Sequence, residues 1–147
     1  MKTYLGKGRM MLSWLMATSL ALSGMMSGCG KDDPNPQAEK LRLLSGTWTI
    51  ATVDNDGVDV TSQYNGFTLT VTSTKTYSTT NGHNAWPAGG TFEFQQNDLN
   101  QIMRDDGVVV TIESATEDQL QLSFQQSTLT GGRPKGVTGD FVFSLVK

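Results

Sequence analysis

Residues 119–126 read QLQLSFQQ, and this stretch decides the fold class. Its apolar side chains alternate with Gln and Ser, so an extended strand would bury one face and expose the other to solvent. The same period of two recurs along the chain. It predicts strands at about 47–53, 66–72, 75–80, 91–96, 100–104, 108–114, 119–126 and 138–146.

Strands with one apolar face each require a shared interior. Short connections between successive strands favour a meander, and an even number lets the last strand pair antiparallel with the first. We therefore predict an all-β domain, an eight-stranded antiparallel up-and-down barrel, with a two-sheet sandwich as the alternative. The alternation points these side chains inward: Trp48, Phe67, Phe92, Phe94, Phe124, Phe141 and Phe143. It points Val53, Val109, Val142 and Val146 outward.

One short helix is predicted before the first strand, over residues 37–45. Leu41 and Leu44 share a face, and Gly46 follows as a C-terminal cap. In an up-and-down order the helix lies at one end of the barrel, which we name the closed end. The long loops at 54–65, 81–90 and 127–137 share the other, the open end, so the domain is expected to resemble a cup.

The helix, the Gly46-Thr47-Trp48 segment and the eight-stranded meander together resemble the lipocalin superfamily, in particular the small lipocalin-like domains of surface lipoproteins. The resemblance covers residues 37–147. It implies that Trp48 seals the closed end beneath a cationic side chain. Lys147 or Arg42 is the expected cation, because Arg104 and Arg133 fall at the open end.

The first 28 residues have the three parts of a secretory signal: a cationic start, an uncharged apolar stretch over residues 10–26, and small residues before Cys29. The segment Met26-Ser27-Gly28-Cys29 resembles the lipobox of bacterial lipoproteins. That resemblance implies cleavage before Cys29 and acyl chains on it, which would hold the mature chain on a membrane. The alternative is an ordinary cleaved signal with an incidental cysteine.

Residues 29–36 are predicted to form a lipidated tether. Gly30-Lys31-Asp32-Asp33 resembles the signal that sends lipoproteins of the Bacteroidetes group to the outer face of the outer membrane, which implies display on the cell surface. The alternative is a charged, solvated linker. Pro34-Asn35-Pro36 is expected to continue the tether as a stiff, extended segment.

Charge and cysteine content limit the partners. The whole chain carries a formal net charge of −3, and removal of the cations Lys2, Lys7 and Arg9 makes that of the mature chain −6. A mildly acidic domain without a basic cluster is a poor nucleic-acid binder. Its single cysteine excludes an intrachain disulfide, so stability must come from packing and strand pairing.

The sequence contains no recognisable catalytic cluster, so we do not expect an enzyme. His83 is the only histidine and lies in a turn-like stretch, where we interpret it as a solvated loop residue. The run from Asp54 to Asp59 resembles half of a calcium loop. The full pattern then requires Gly at position 59 and Glu at position 65, where this chain has Asp59 and Asn65. We interpret the run as a plain turn, and we expect no metal and no cofactor.

Three residues in the long loops are the candidate binding site at the open end: Tyr64, Trp86 and Arg133. Two aromatic rings and a cation on one rim could grip a partner. The alternative is that Trp86 folds down as a lid on the core and Arg133 points into water. Two functions follow: a non-enzymatic binding module for a small apolar ligand or a protein, or a filled barrel that docks to another outer-membrane protein by its outer face.

Overall fold

The computed structural model describes residues 35–127 and 138–147. The leader, Cys29 and Arg133 lie outside the described residues. The described chain is a closed, eight-stranded antiparallel barrel preceded by one short helix. The predicted fold class is confirmed.

The barrel strands follow one another around the sheet in chain order. Pairing of the first with the last closes the sheet and removes both long edges, which excludes the sandwich. A two-residue strand, β2, extends a hairpin from the end of β1. The strands are β1 Gly46–Asn55, β2 Val58–Asp59, β3 Thr68–Val71, β4 Thr76–Thr80, β5 Gly89–Gln95, β6 Asp98–Arg104, β7 Val109–Ala115, β8 Gln119–Gln126 and β9 Gly139–Val146.

The helix, α1, spans Pro36–Leu44, so it begins inside the segment expected to be an extended tether. The Asn35 side chain accepts a hydrogen bond from the backbone N–H of Gln37, and Pro36 occupies the first helical position, where its missing N–H costs nothing. The expected C-terminal cap at Gly46 is wrong. Ser45 is the C-cap, with its backbone N–H and its hydroxyl both donating to the Leu41 carbonyl, and Gly46 opens β1.

The aromatic interior is confirmed. Phe94 is half-buried and packs against the core. The other six predicted side chains are buried: Trp48, Phe67, Phe92, Phe124, Phe141 and Phe143. Edge-to-face and stacked contacts join most of these rings, with Phe141 and Phe143 both stacked on Phe124 at 5.6 Å. The barrel is therefore filled by its own aromatic side chains.

The outward placement predicted for Val53 is wrong, because the side chain is completely buried. The pairing of β1 with β9 shifts register between Ile50 and Thr52, where Ala51 is an extra, bulged residue. A one-residue bulge reverses the faces of everything that follows it in the strand. Val53 therefore lies opposite the inward-facing Phe143, whereas Val109, Val142 and Val146 keep the predicted outward orientation.

The acidic run after β1 forms a tight hairpin, as the plain-turn interpretation predicted. Asp56 and Gly57 both have positive φ, at 52° and 77°, which is the conformation of a type I′ hairpin turn. Asp56 also accepts a hydrogen bond from the backbone N–H of Asp140 through its side chain, at 2.9 Å. The hairpin is thus fixed to the start of β9 at the open end.

Candidate functional site at the open end of the barrel

The two aromatic residues predicted at the open end are inside the barrel and are not exposed on a rim. Tyr64 is 2% exposed and Trp86 is 3% exposed. The expected grip by exposed aromatic rings is therefore wrong for both. Arg133, the third predicted residue, lies outside the described residues.

Tyr64 ends a short 3-10 helix, Thr61–Tyr64, which turns its ring down into the barrel. The ring meets Phe143 edge-to-face at 5.1 Å and Phe141 at 6.4 Å. Burial raises the pKa of the Tyr64 phenol above its ordinary value. On its outer side lies the ring of His83, at 5.5 Å. His83 itself is exposed, in agreement with its interpretation as a loop residue.

Trp86 folds down over the core, as the alternative interpretation proposed. Its ring packs against four others: Phe124 at 5.3 Å, Tyr77 at 5.8 Å, Phe143 at 6.2 Å and Phe67 at 6.5 Å. The mouth of the barrel is therefore closed by an indole that comes from a loop.

Arg104 was placed at the open end by the sequence analysis but was not included in the candidate site. It ends β6, its side chain is 1% exposed, and it lies inside the mouth of the barrel. Its guanidinium carbon lies 4.7 Å from the centroid of Trp86 and 5.5 Å from that of Phe124. The signal was present: Ile102 faces inward, and a residue two positions later on a strand shares that face.

Each of the three nitrogens of the buried guanidinium has a hydrogen-bond partner. Nη1 donates to the Ala85 carbonyl oxygen at 3.1 Å, Nε donates to Oδ1 of Asp106 at 3.1 Å, and Nη2 pairs with Oδ2 of the same carboxylate. Burial opposes ionisation of Asp106, but the hydrogen bonds from Arg104 and from the backbone N–H of Val108 outweigh it. The pKa of Asp106 is consequently held below its ordinary value.

Tyr77 completes the inner wall beside Arg104. Its hydroxyl donates to Oδ1 of Asp105 at 3.4 Å. Burial, reinforced by the carboxylates of Asp105 and Asp106 and opposed by Arg104, raises the pKa of Tyr77 to about 12. The phenol therefore stays protonated at neutral pH and does not act as a base.

Below this layer the barrel is nearly full. A cavity of about 20 Å³ lies between the Trp86–Arg104 layer and the helix residue Leu44. A void of that size holds about one water molecule, whereas ligand sites for small molecules usually measure about 300 Å³ or more. This cavity, as the described residues line it, is too small for a ligand of ordinary size.

The closed end is sealed as the resemblance implied, with Lys147 as the cation. Lys147 Nζ lies 4.6 Å from the ring centroid of Trp48, and the indole N–H of Trp48 donates to the Leu44 carbonyl oxygen at 2.8 Å. Gly46 has a φ of 134°, and a Cβ there would lie 3.0 Å from Cε of Lys147. Arg42, the other expected cation, instead pairs with Glu39 and Glu117.

The outer wall carries an apolar pair. Met103 and Val109 are cross-strand partners on β6 and β7, and they are 46% and 41% exposed. Val109 and Val142 also line a shallow open groove of about 240 Å³ across β7, β8 and β9. We call Met103, Val109 and Val142 the outer-wall patch. Exposed apolar side chains that adjoin one another often mark a contact surface.

Within residues 35–127 and 138–147, no group of three or more His, Cys, Asp or Glu side chains is placed to hold a metal ion. None of the helices in this part of the chain has the length and apolarity that a membrane span requires. Comparison with protein-family models, with curated proteins and with solved structures finds no match for the chain.

Proposed function

We propose that this chain is a non-enzymatic, lipid-anchored lipoprotein of the outer membrane, whose filled barrel docks to another envelope protein through its outer wall. One observation carries the proposal: within the part of the barrel that the structure describes, the interior cavity measures about 20 Å³. A binding module with so little room there would meet its partner with its outer surface. The small apolar ligand, which was the other expectation, finds little space here.

The outer-wall patch is the surface that supports docking. Met103 and Val109 lie side by side, and Val142 adjoins the same groove two strands away. Their neighbours include the uncharged Thr111, Ser123 and Gln125, which also line the groove, and two acids: Asp140 in the groove and Glu93 opposite Met103. A patch with an apolar centre and a polar border resembles the surfaces by which proteins associate.

The membrane anchor in this proposal depends on the leader and on Cys29. Two or more acyl chains would hold the domain stably, because each buried methylene contributes about 0.8 kcal/mol. The charged segment Gly30-Lys31-Asp32-Asp33 favours the outer face of the outer membrane. The resemblance to lipocalin-like surface lipoproteins agrees with this location, and nucleic acid is not a partner in the proposal.

Docking is tested in the native host with two patch variants, Met103→Lys and Val109→Lys. The matched control is Thr70→Lys, on the outer face of β3. Native electrophoresis of membranes solubilised in mild detergent should show the wild type and the control in a larger complex, and the patch variants as free protein. A wild type that migrates alone, or patch variants that keep the complex, would contradict the proposal.

The anchor has a separate test. Cys29→Ala should release the protein from membranes or stop its maturation, because the residue that carries the lipid is lost. Cys29→Ser serves as a second variant of similar size. Phase partitioning in a detergent that separates lipidated from unlipidated protein measures the result. Unchanged membrane attachment in both variants would exclude the lipid anchor.

A further inference from the structure

We infer that residues 81–88, which bring Trp86 into the mouth of the barrel, form a lid that opens while the barrel stays folded, with Arg104 as its latch. The inference stands apart from the docking role, because it concerns the loop at the open end and not the outer wall.

The loop is a compact unit with a narrow base. Two hydrogen bonds from Thr79 join the ends of the loop at this base. The backbone N–H of Thr79 donates to the Ala88 carbonyl at 2.9 Å, and its hydroxyl donates to the Pro87 carbonyl at 2.7 Å. Within the loop, the backbone N–H groups of Ala85 and Trp86 both donate to the Gly82 carbonyl. These bonds can persist while the loop moves as one body about its base.

The indole of Trp86 lacks the hydrogen bond that would fasten it. Its Nε1 is buried and has no acceptor among the residues that the structure describes, although the side chain is almost completely enclosed. A buried donor without a partner costs free energy in the closed position, and water would satisfy it in the open one. Trp48 gives the contrast within the same molecule: it is equally buried, but its indole donates to Leu44 from a barrel strand.

Arg104 holds the lid by two contacts that opening would break. One is the cation–π contact with Trp86, and the other is the hydrogen bond from Nη1 to the Ala85 carbonyl. The two-point pairing with Asp106 does not involve the loop. Arg104 therefore keeps a counter-ion when the lid opens, so that opening does not strand a buried charge, which would be prohibitive.

Backbone conformation at the start of the loop also favours movement. Asn81 and His83 have positive φ, at 54° and 49°, a region that side chains with a Cβ rarely adopt. Between them, a Cβ on Gly82 would lie 2.5 Å from the Trp86 carbonyl oxygen. The loop is thus wound tightly within itself, which suits movement as one body. Opening would join the vacated space to the cavity below, with the guanidinium of Arg104 at its entrance.

The experiment compares hydrogen exchange at the indole N–H groups of Trp86 and Trp48 by NMR, on the full-length protein with labelled tryptophan. Resonances are assigned with Trp14→Phe and Trp86→Phe. Trp86 should exchange at least about 100-fold faster than Trp48, because sub-global opening exposes it without unfolding the barrel. Arg104→Lys, which loses the planar guanidinium, should accelerate hydrogen exchange at the Trp86 indole about tenfold more than exchange at the Trp48 indole.

The denaturant dependence of exchange separates the lid from its alternatives, since the slope reports the surface that opening exposes. A lid gives Trp86 a slope clearly above zero and well below that of Trp48. A slope of zero would mean that water reaches the indole by small fluctuations, without loop movement. A slope equal to that of Trp48 would mean that Trp86 is released only by global unfolding. Either of these two results would overturn the inference.

Discussion

Lys147 Nζ lies 4.6 Å above the ring of Trp48, and this contact joins the last residue of the chain to the first strand of the barrel. At the opposite end, Arg104 lies over Trp86 in the same relationship. Both ends of the barrel are therefore closed by a cation on an indole. The two differ in exposure, because Lys147 is reached by solvent and Arg104 is not.

The solvent-exposed contact between Lys147 and Trp48 should contribute little to the free energy of unfolding, and that contribution should require a cation over the ring. Lys147→Met keeps most of the aliphatic stem and loses the charge, and we expect it to lower the free energy of unfolding by about 0.5–1 kcal/mol. Lys147→Arg is the matched control and should be close to neutral. Urea unfolding monitored by far-UV circular dichroism measures both. A loss of equal size in the two variants would assign the effect to packing instead of charge.

The Arg104–Asp106 pair should make stability depend on acid. The pKa of Asp106 is lowered in the folded state, so its contribution is present above the unfolded-state pKa of about 3.9 and is lost as the pH falls through the lower, folded value. Asp106→Asn should reduce stability at pH 7 by about 3 kcal/mol, because it leaves the buried guanidinium of Arg104 without its counter-ion. This is the low end of the range for such a change, since Asp106 is partly exposed and the Asn oxygen still accepts a hydrogen bond. The deficit of the variant relative to wild type should shrink below about pH 4. Urea titrations at pH 7 and pH 3 measure the difference, and a deficit that does not change with pH would contradict the assignment.

Removal of the Trp86 ring should leave an indole-shaped void. Trp86→Gly should cost about 3–5 kcal/mol, the usual range for deletion of a large aromatic side chain from a core. Free indole should then raise the melting temperature of the variant, because it binds the folded state alone. Wild type is the control and should not respond to indole. A variant that loses little stability, or that ignores indole, would show that the ring does not fill the mouth of the barrel in solution.

The bulge at Ala51 predicts opposite responses from two valines that simple alternation places on the same outer face. Val53→Thr buries a hydroxyl opposite Phe143, and we expect a loss of about 1–3 kcal/mol. Val142→Thr, on the outer face of β9, should stay within about 0.5 kcal/mol of wild type. Thermal unfolding of both variants and of the wild type measures the two losses of stability. Equal effects would place both side chains in the same environment, contrary to the bulged register.

Much of the barrel was predictable because period-two alternation is a local property that survives in any antiparallel closed sheet. Leu120, Leu122 and Phe124 needed no partner to reveal their common face. The same argument failed at Val53, because a bulge depends on how β1 fits β9, which begins about ninety residues later in the chain. It was not applied to Arg104, which was placed at the open end without a face, although alternation with Ile102 indicates the inner one. The cost of burying its charge is met by Asp106, the Ala85 carbonyl and two rings that only the closed barrel brings together.

The sequence by itself determined the strands, their order and the aromatic interior, because these follow from residue types a few positions apart and from the short connections. The role of Trp48 at the closed end was implied by the resemblance alone. The tertiary structure alone decided that the open end is shut. Trp86 and Tyr64 lie in loops, where local pattern does not say whether a ring faces water or the core. Burial of both rings depends on a space shaped by Phe67, just before β3, and by Phe124 and Phe143 from β8 and β9. It also depends on the guanidinium of Arg104 at the end of β6.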